Sequence, residues 1–377
     1  MFVGAYPLAA WPAQSTDAQD RDALLFPSIN QIRANEVNSW QTSKESLMRV
    51  AVVWFKDIEA SQFGPEYGPA VKSVVTALQE NGHETLLCED DKGLLATLER
   101  FMPPDPQARP SGIVFNMGTM GAGGKGEWRS SQIPTMLEMA GIPYTGASPL
   151  GAALGLDKVI TKKLIRDDGV PTPNFRVMRR GTESTGDLRF PLIVKPRYGY
   201  GSLGLQLVHE PSRLRRAVEM IITQYSQDAL VEEYIEGREI SVALLGNEEL
   251  EVFPPLEHDF GDRETRLITL EDKTHMAVAA PQRICPARIA GGLATMLRDI
   301  SVTTFRACLG RDYARVDLRI DRSGRPFVLE INVSPSLTNS SSYFQAAATG
   351  GYSFSDLVNR MLDVAHTRYF GIGYPRG

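Results

Sequence analysis

Two carboxylates and a carboxamide stand where a divalent cation could be held: Asp317, Glu330 and Asn332, in the stretch ARVDLRIDRSGRPFVLEINVSPSLTN from Ala314 to Asn339. The stretch predicts a β-hairpin. Ala314, Val316, Leu318 and Ile320 alternate with Arg315, Asp317, Arg319 and Asp321, and Phe327, Leu329 and Ile331 alternate with Val328, Glu330 and Asn332, the period-two pattern of half-buried strands. With Ser323 and Gly324 as a two-residue loop, Arg322 faces Arg325, and counting outward sets Asp317 opposite Glu330 and Arg315 opposite Asn332. The apolar residues then share the other face. Cross-strand partners have Cβ atoms about 5 Å apart, so the two carboxylates repel unless something positive lies beside them. A cation ligated by Asp317, Glu330 and the amide oxygen of Asn332 is one solution, and an all-oxygen set without His or Cys suits magnesium carrying a nucleotide's phosphates. A solvated face neutralised by Arg315 and Arg319 is the other.

A second constellation bears on the choice. PLIVKPRYGYGSLGLQLV predicts a strand ending in Lys195, a loop with Gly199, Gly201, Ser202 and Gly204, and a return strand. Glycines let backbone N–H groups approach phosphate oxygens, and a lysine adds a point charge. No GK[ST] and no strand-GxGxxG-helix order occurs, so neither the P-loop nor the dinucleotide fingerprint applies, and the expected cradle is a hairpin flap. Lys158 lies near the start of the helix LGLDKVITKKLIRDDG, where it is either solvated or placed against a phosphate. In DALVEEYIEGREISVALLG, the extended run Val231, Glu232, Glu233, Tyr234, Ile235 is suited to pass an adenine edge, with Ile235 near its face. Glu239 is suited to accept from ribose hydroxyls; solvated acidic strand ends are the plain alternative.

These residues need a scaffold. At 377 residues the chain is long enough for two or three domains. The net charge of -5 gives no basic footprint for nucleic acid, and no apolar run approaches the roughly 18 to 20 residues that span a bilayer. The three cysteines, Cys88, Cys285 and Cys308, are far apart, which fits buried thiols in a reducing compartment; the cytoplasm is the expected location. Residues 1–46 show neither periodicity nor a secretion or transit pattern and read as a loosely ordered extension. From Arg49, RVAVVWF, PAVKSVVTALQENG, HETLLC and SGIVFNMG read as strand, helix, strand and strand of a parallel α/β layer. GAGGKGEW follows at the carboxyl end of that sheet, either as a substrate loop or as a plain connection.

LDK, IVKPRYGYGSLG, VEEYIEGRE, ARVDLR and LEINVSP, in this order, resemble the motifs of the ATP-grasp enzymes, in particular the D-alanyl-D-alanine ligase-like branch, from about Arg49 to about Leu362. The resemblance implies an α/β and α+β architecture: an ATP-grasp fold with an N-terminal parallel α/β domain over residues 47–147. A central subdomain with the glycine flap is expected over 148–230, and a C-terminal subdomain with the metal site over 231–377. It implies ATP and magnesium, two ions with manganese as a substitute, small amino-acid or peptide substrates, no nucleic-acid or membrane partner, and an assembly compatible with a homodimer. By the same resemblance Lys158 and Lys195, with Gly201 and Ser202 of the flap, meet phosphates. Glu232, Glu233, Ile235 and Glu239 lie on the adenine and ribose side, and Asp317, Glu330 and Asn332 hold the metal. Arg315 stabilises the oxyanion formed when an amine adds to an acyl phosphate, Lys273 is the lid lysine, Ser341 holds a substrate carboxylate, and Glu66 matches the acid near the first helix.

Departures from that branch concern the substrate. Asn116, Met117 and Gly118 stand where a His-Gly pair is expected, Gly201 replaces a flap serine, Thr274 replaces a lid tyrosine, and Ser336 replaces a glycine. The implied activity is therefore an ATP-dependent carboxylate-amine ligase joining amino acids, peptides or a natural-product amine. D-alanine-D-alanine ligation, ATP-grasp carboxylation or amidoligation of another acceptor, and ATP binding without turnover are the alternatives.

Overall fold

The computed structural model describes residues 48–54, 67–89, 92–104, 110–118, 129–269, 272 and 280–371. The extension 1–46, the loop 121–128, Glu66, Lys273 and Thr274 lie outside them. Among the described residues no helix is long and apolar enough to cross a membrane.

Among the described residues three sheets carry the fold. In the first, β1 (Arg49–Trp54) runs parallel between β2 (Glu84–Glu89) and β3 (Gly112–Asn116). The VAVV run of β1 and all of β3 are buried, as expected of a parallel sheet covered on both faces. Helix α1 (Tyr67–Glu80) packs against it through Ala70, Val71, Val74, Ala77 and Leu78, a stripe at helical spacing. Helices α2 (Leu94–Phe101) and α3 (Arg129–Met139) complete this region.

The second sheet is antiparallel, ordered β4 (Phe175–Met178), β7 (Ala229–Glu233), β5 (Leu192–Pro196), β6 (Gln206–Val208). Helix α6 (Pro211–Tyr225) covers one face through Leu214, Ala217, Val218 and Ile221. Because β7 pairs with β4 and β5, this sheet extends to Glu233, past the expected boundary at residue 230. Helices α4 (Pro149–Leu156) and α5 (Lys158–Asp167) precede it, yet Ala152, Ile165 and Val170 bury their apolar atoms in the core of the third sheet.

That third sheet runs β11 (Gln282–Ile284), β10 (Leu256–Asp259), β8 (Gly237–Gly246), β12 (Tyr313–Asp321), β13 (Pro326–Asn332), with β9 (Leu250–Val252) also on β8. Helix α7 (Gly291–Ala307) packs on one face, while α8 (Ser342–Thr349) and α9 (Phe354–Phe370) join a core shared with β1, β3 and α1 on the other. Fully buried Asp312, which takes hydrogen bonds from Arg368 at 2.8 and 2.9 Å, Asn247 at 3.0 Å and the backbone N–H of Gly146 at 2.8 Å, ties α9 to the start of β12.

The hairpin β12–β13 departs from expectation at its turn. Asp317 pairs with Glu330 and Arg315 with Asn332 as expected, but Leu318 pairs with Val328, Arg319 with Phe327 and Ile320 with Pro326. The loop has three residues, Arg322, Ser323 and Gly324: Asp321 N–H bonds Arg325 O, Gly324 N–H bonds Asp321 O, and the Asp321 carboxylate accepts from the N–H groups of Ser323 and Arg325. Gly324 takes φ +83°, the left-handed position such a loop requires. A β-bulge at Leu329 absorbs the extra residue and restores the register at Glu330. In consequence Val328 and Ile331, not Phe327 and Leu329, fill the core beside Val316 and Leu318, and Leu329 turns toward the cleft with Glu330.

Candidate functional site

A cleft of about 590 Å³ opens over one face of the third sheet, walled by the β5–β6 hairpin and the start of α8; this is within the usual range for a small-molecule site. Strand pairing sets its floor in rows. Asp317 lies between Ser241 on β8 and Glu330 on β13, and Arg315 between Ala243 and Asn332. Toward the other end, Arg319 pairs with Glu239, Glu239 with His258 on β10, and His258 with Arg283 on β11.

Asp317 is held on every side. The Arg315 fork binds it through Nε to Oδ1 and Nη2 to Oδ2, both at 2.8 Å; Ser241 Oγ donates at 2.7 Å and Asn332 Nδ2 at 2.8 Å. Glu330 Oε2 lies 3.3 Å from Lys158 Nζ. The repulsion expected between the carboxylates is thus balanced by Arg315 and Lys158. Arg319 takes no part in this. It is buried to 2% exposure and bonds Glu239 at 2.8 Å and the carbonyls of Ile235, Gly237 and Arg266, so the alternative of a solvated face neutralised by Arg315 and Arg319 fails for Arg319. Burial opposes the charge of Arg315, but Asp317 and Glu330 outweigh it and raise its pKa. Among the described residues no group of three or more His, Cys, Asp or Glu could hold a metal ion. The donor set whose chemistry fits a hard divalent cation is Asp317, Glu330 and the amide of Asn332, all three on the cleft wall, with the Asn332 Nδ2 donating to Asp317 in this structure.

The lysines come from separate elements. Lys158 opens α5, whose N-cap, Asp157, accepts from the N–H groups of Val159 and Ile160 and is gripped by Arg197 at 2.9 and 2.6 Å. Lys158 Nζ donates to Gly199 O at 2.5 Å, joining the flap to Glu330 on β13. The flap backbone turns through left-handed conformations at Gly201 (φ +74°) and Ser202 (φ +63°), and both residues line the cleft. Lys195, at the end of β5, lines it too and lies 2.5 Å from Glu232 Oε1.

Glu232, Glu233 and Ile235 are not on the cleft wall. Glu232 is buried between Lys195 and Lys162, the latter at 2.8 Å from its other oxygen. Glu233 accepts from Asn174, the backbone N–H of Arg189 and the Arg189 guanidinium, and Ile235 presents its carbonyl to Arg319. Glu239 does line the cleft, with Arg319 on one oxygen. At the far end Ser341 caps α8 by accepting from Phe344 N–H at 3.2 Å, and Asn116 lines the wall contributed by the first sheet. Asp272, next to Lys273 in the chain, is clamped by Arg263 at 2.9 and 2.6 Å.

Lys162, His258, Arg283 and Leu329 carry no role that motif or spacing assigned. Lys162 stands one helical turn after Lys158, so spacing alone puts it on the same face. It is fully buried, and desolvation, partly offset by Glu232, lowers its pKa to about 8. The unfolded chain binds that proton up to about 10.4, so between these values the folded state holds fewer protons and stability rises with pH. Lys195 acts oppositely: burial disfavours its charge, but Glu232 and Glu330 outweigh that and raise its pKa, so its contribution is lost only above its ordinary value. The unfolding free energy is therefore expected to increase from pH 7.5 to 9.5 and to lose that increment in Lys162→Met. Denaturant titrations at the two pH values measure it, and equal slopes in both proteins would remove Lys162 as the cause.

A family model described as the D-ala D-ala ligase C-terminus matches residues 164–363. An uncharacterised protein of Sinorhizobium fredii, y4sG, is 61% identical over 337 residues, which are 86% of this chain and 99% of that one. A D-alanine–D-alanine ligase of Pelotomaculum thermopropionicum is 32% identical over 244 residues, covering 62% of this chain and 75% of its own length. Among solved structures, the D-alanine–D-alanine ligase of Bacillus anthracis complexed with ATP superposes with a TM-score of 0.68 at 21% identity, over 84% of this chain and 97% of that one, a likeness of fold.

Proposed function

The chain belongs to the D-alanine–D-alanine ligase family, with the ATP-grasp fold, and on that premise we propose that it joins a carboxylic acid to an amine in an ATP-dependent, ADP-forming reaction. The observation that supports this best is the convergence of Lys158, Lys195, Arg315, Asp317, Glu330 and Asn332, from a helix start, a flap strand and a hairpin, on one cleft. The carboxylate oxygen attacks the terminal phosphorus of ATP and ADP leaves; the amine then adds to the carbonyl carbon of the acyl phosphate, forming the C–N bond, and collapse of the tetrahedral adduct, with the amine's proton lost to solvent, restores the carbonyl and expels phosphate.

Each residue has a positional task, and no protein nucleophile is required. Lys158, Lys195 and the N–H groups at Gly201 and Ser202 neutralise and orient the phosphates, and Glu239 accepts from the ribose. Glu232 acts one step back from the cleft by fixing Lys195. Arg315 is placed to meet the oxyanion of the adduct, a contribution of several kcal/mol where it operates, and Ser341 to receive a substrate carboxylate. Asp317, Glu330 and Asn332 would hold magnesium, two ions in the proposed complement, which supplies charge neutralisation at the phosphates. Lys273 and Glu66, outside the described residues, keep the lid and amine-side roles in this proposal, and the reaction is assigned to the cytoplasm.

The proposed substrates are amino acids or peptides bulkier or more polar than D-alanine. Gly201 brings no side chain to the flap, and Asn116 and Ser336 face the cleft with amide and hydroxyl groups. Turnover with amino-acid and dipeptide panels is expected to give ADP and phosphate in equal amounts; stoichiometric AMP and pyrophosphate would eliminate the acyl-phosphate route. With D-alanine as sole substrate, kcat/KM is expected to stay below about 10⁴ M⁻¹s⁻¹. A value above it would assign the protein to D-alanine dimerisation, the activity named for its relatives.

A further inference from the structure

Behind the flap strand lies a buried row of three charged groups, of which only one reaches the cleft. Strand β7 sets Leu230 opposite Lys195 and Glu232 opposite Ile193, so Glu232 and Lys195 leave the second sheet on one face. Helix α5 meets them there with Lys162. Lys162 Nζ, fully buried, lies 2.8 Å from Glu232 Oε2, and Lys195 Nζ lies 2.5 Å from Glu232 Oε1. Glu232 itself is 2% exposed. Of the three, Lys195 alone lines the cleft, and among the described residues Glu232 is its one ion-pair partner. Lys162 also donates to Thr172 Oγ1 at 2.8 Å, and Thr172 donates at 2.8 Å to the carbonyl of Val328 on β13, the strand that carries Glu330. One turn earlier on the same helix, Lys158 pairs with Glu330 directly.

A single cation is enough to balance Glu232, and Lys195 supplies it. A second ammonium taken out of water carries a large desolvation cost, and the lowered pKa of Lys162 has that cause. What the second charge changes is the balance of the row. Two ammonium groups and one carboxylate leave one positive charge in excess, whereas Glu232 and Lys195 by themselves are neutral. A neutral pair offers a phosphate a dipole in place of a charge, and its attraction, undivided, holds Lys195 back on Glu232.

Resting on the ligase reading of this cleft, we infer that Lys162 is a positioning residue for the nucleotide: by taking up the charge of Glu232 from behind, it leaves the charge of Lys195 to the phosphates. ADP with magnesium, titrated calorimetrically, is expected to bind Lys162→Met at least about tenfold more weakly than the wild-type protein, the loss of one charge-assisted contact. Lys162→Gln keeps a donor without the charge and is expected to show the same loss, so it decides the matter if the methionine variant does not fold. The double variant Lys162→Met, Glu232→Gln removes one charge of each sign and restores the excess positive charge on Lys195; it is expected to recover most of the lost affinity. A lysine that only supported the fold would behave otherwise, because a second buried substitution would add to the loss. Unchanged ADP affinity in the single variants, or a double variant that binds ADP no better than they do, overturns the inference. Failure of the ligase reading shows separately, as absence of ADP formation from ATP across the amino-acid panel while ADP binding keeps its dependence on Lys162.

Discussion

Glu330→Gln is expected to lower the ligation rate by about 10³-fold while costing less stability than the matching change at Asp317. The side chain faces the cleft, partly exposed, with Lys158 as a charge partner at 3.3 Å, so an amide of the same shape fits without a void. What the amide removes is half the negative charge that a divalent cation needs from this pair. Asp317→Asn should behave differently because Asp317 also anchors the two-pronged Arg315 contact, with both side chains about 15% exposed. Removing that charge leaves a largely buried guanidinium without its counter-ion, a cost on the order of 2 kcal/mol, on top of the lost metal charge. Steady-state rates over a magnesium titration, together with urea midpoints, separate the two variants. A Glu330→Gln enzyme with an undiminished rate would reject the metal role, and coincident midpoints would reject Asp317 as the structural partner of Arg315.

The hairpin shows how far the sequence could be read. Alternation identified both strands, and Asp317 does face Glu330, but by two compensating departures: a three-residue loop in place of two, and a bulge at Leu329. The Asp321 carboxylate that closes the loop is visible in the sequence; whether it caps its own turn or faces solvent is decided by Arg325 and Ser323 folding back onto it. The strand holding Glu232 and Glu233 was legible, whereas the side each carboxylate faces was not, because pairing of β7 with β4 and β5 turns Glu232 onto two lysines and Glu233 onto Asn174 and Arg189. Arg319 presents the same limit. Its place on the Asp317 face follows from period two, but its burial depends on carbonyls at residues 235, 237 and 266, contacts that no local pattern encodes. Motif order singled out Lys158, Lys195, Gly201, Ser202 and Glu239, which line one cleft, because phosphate chemistry demands fixed types at fixed places. Arg283 and His258 escaped because they sit on short strands whose register only the assembled sheet defines.

Arg315→Met is expected to lower the overall rate by about 10²- to 10³-fold, with the loss falling on amine addition and not on phosphorylation of the acid. The guanidinium stands on β12 beside Asn332, within the electrostatic reach of both Asp317 and Glu330, so it can answer negative charge that develops on the adduct as well as charge already present. Removing it eliminates the first function. The second is then left to the cation, and because Asp317 no longer shares its oxygens with a competing guanidinium, the magnesium concentration for half-maximal rate should fall or stay constant. An arginine that only supported the fold would behave otherwise, since its loss would weaken nucleotide affinity, magnesium response and both half-reactions together. Rapid-quench measurement of ADP formation without amine, with hydroxylamine to trap the acyl phosphate, isolates the first half-reaction, and amide formation on adding amine isolates the second. A normal burst of ADP followed by slow amide formation is the expected pattern. Equal loss of both steps, or a wild-type rate for the second, would remove Arg315 from the oxyanion site and leave it as the counter-ion of Asp317.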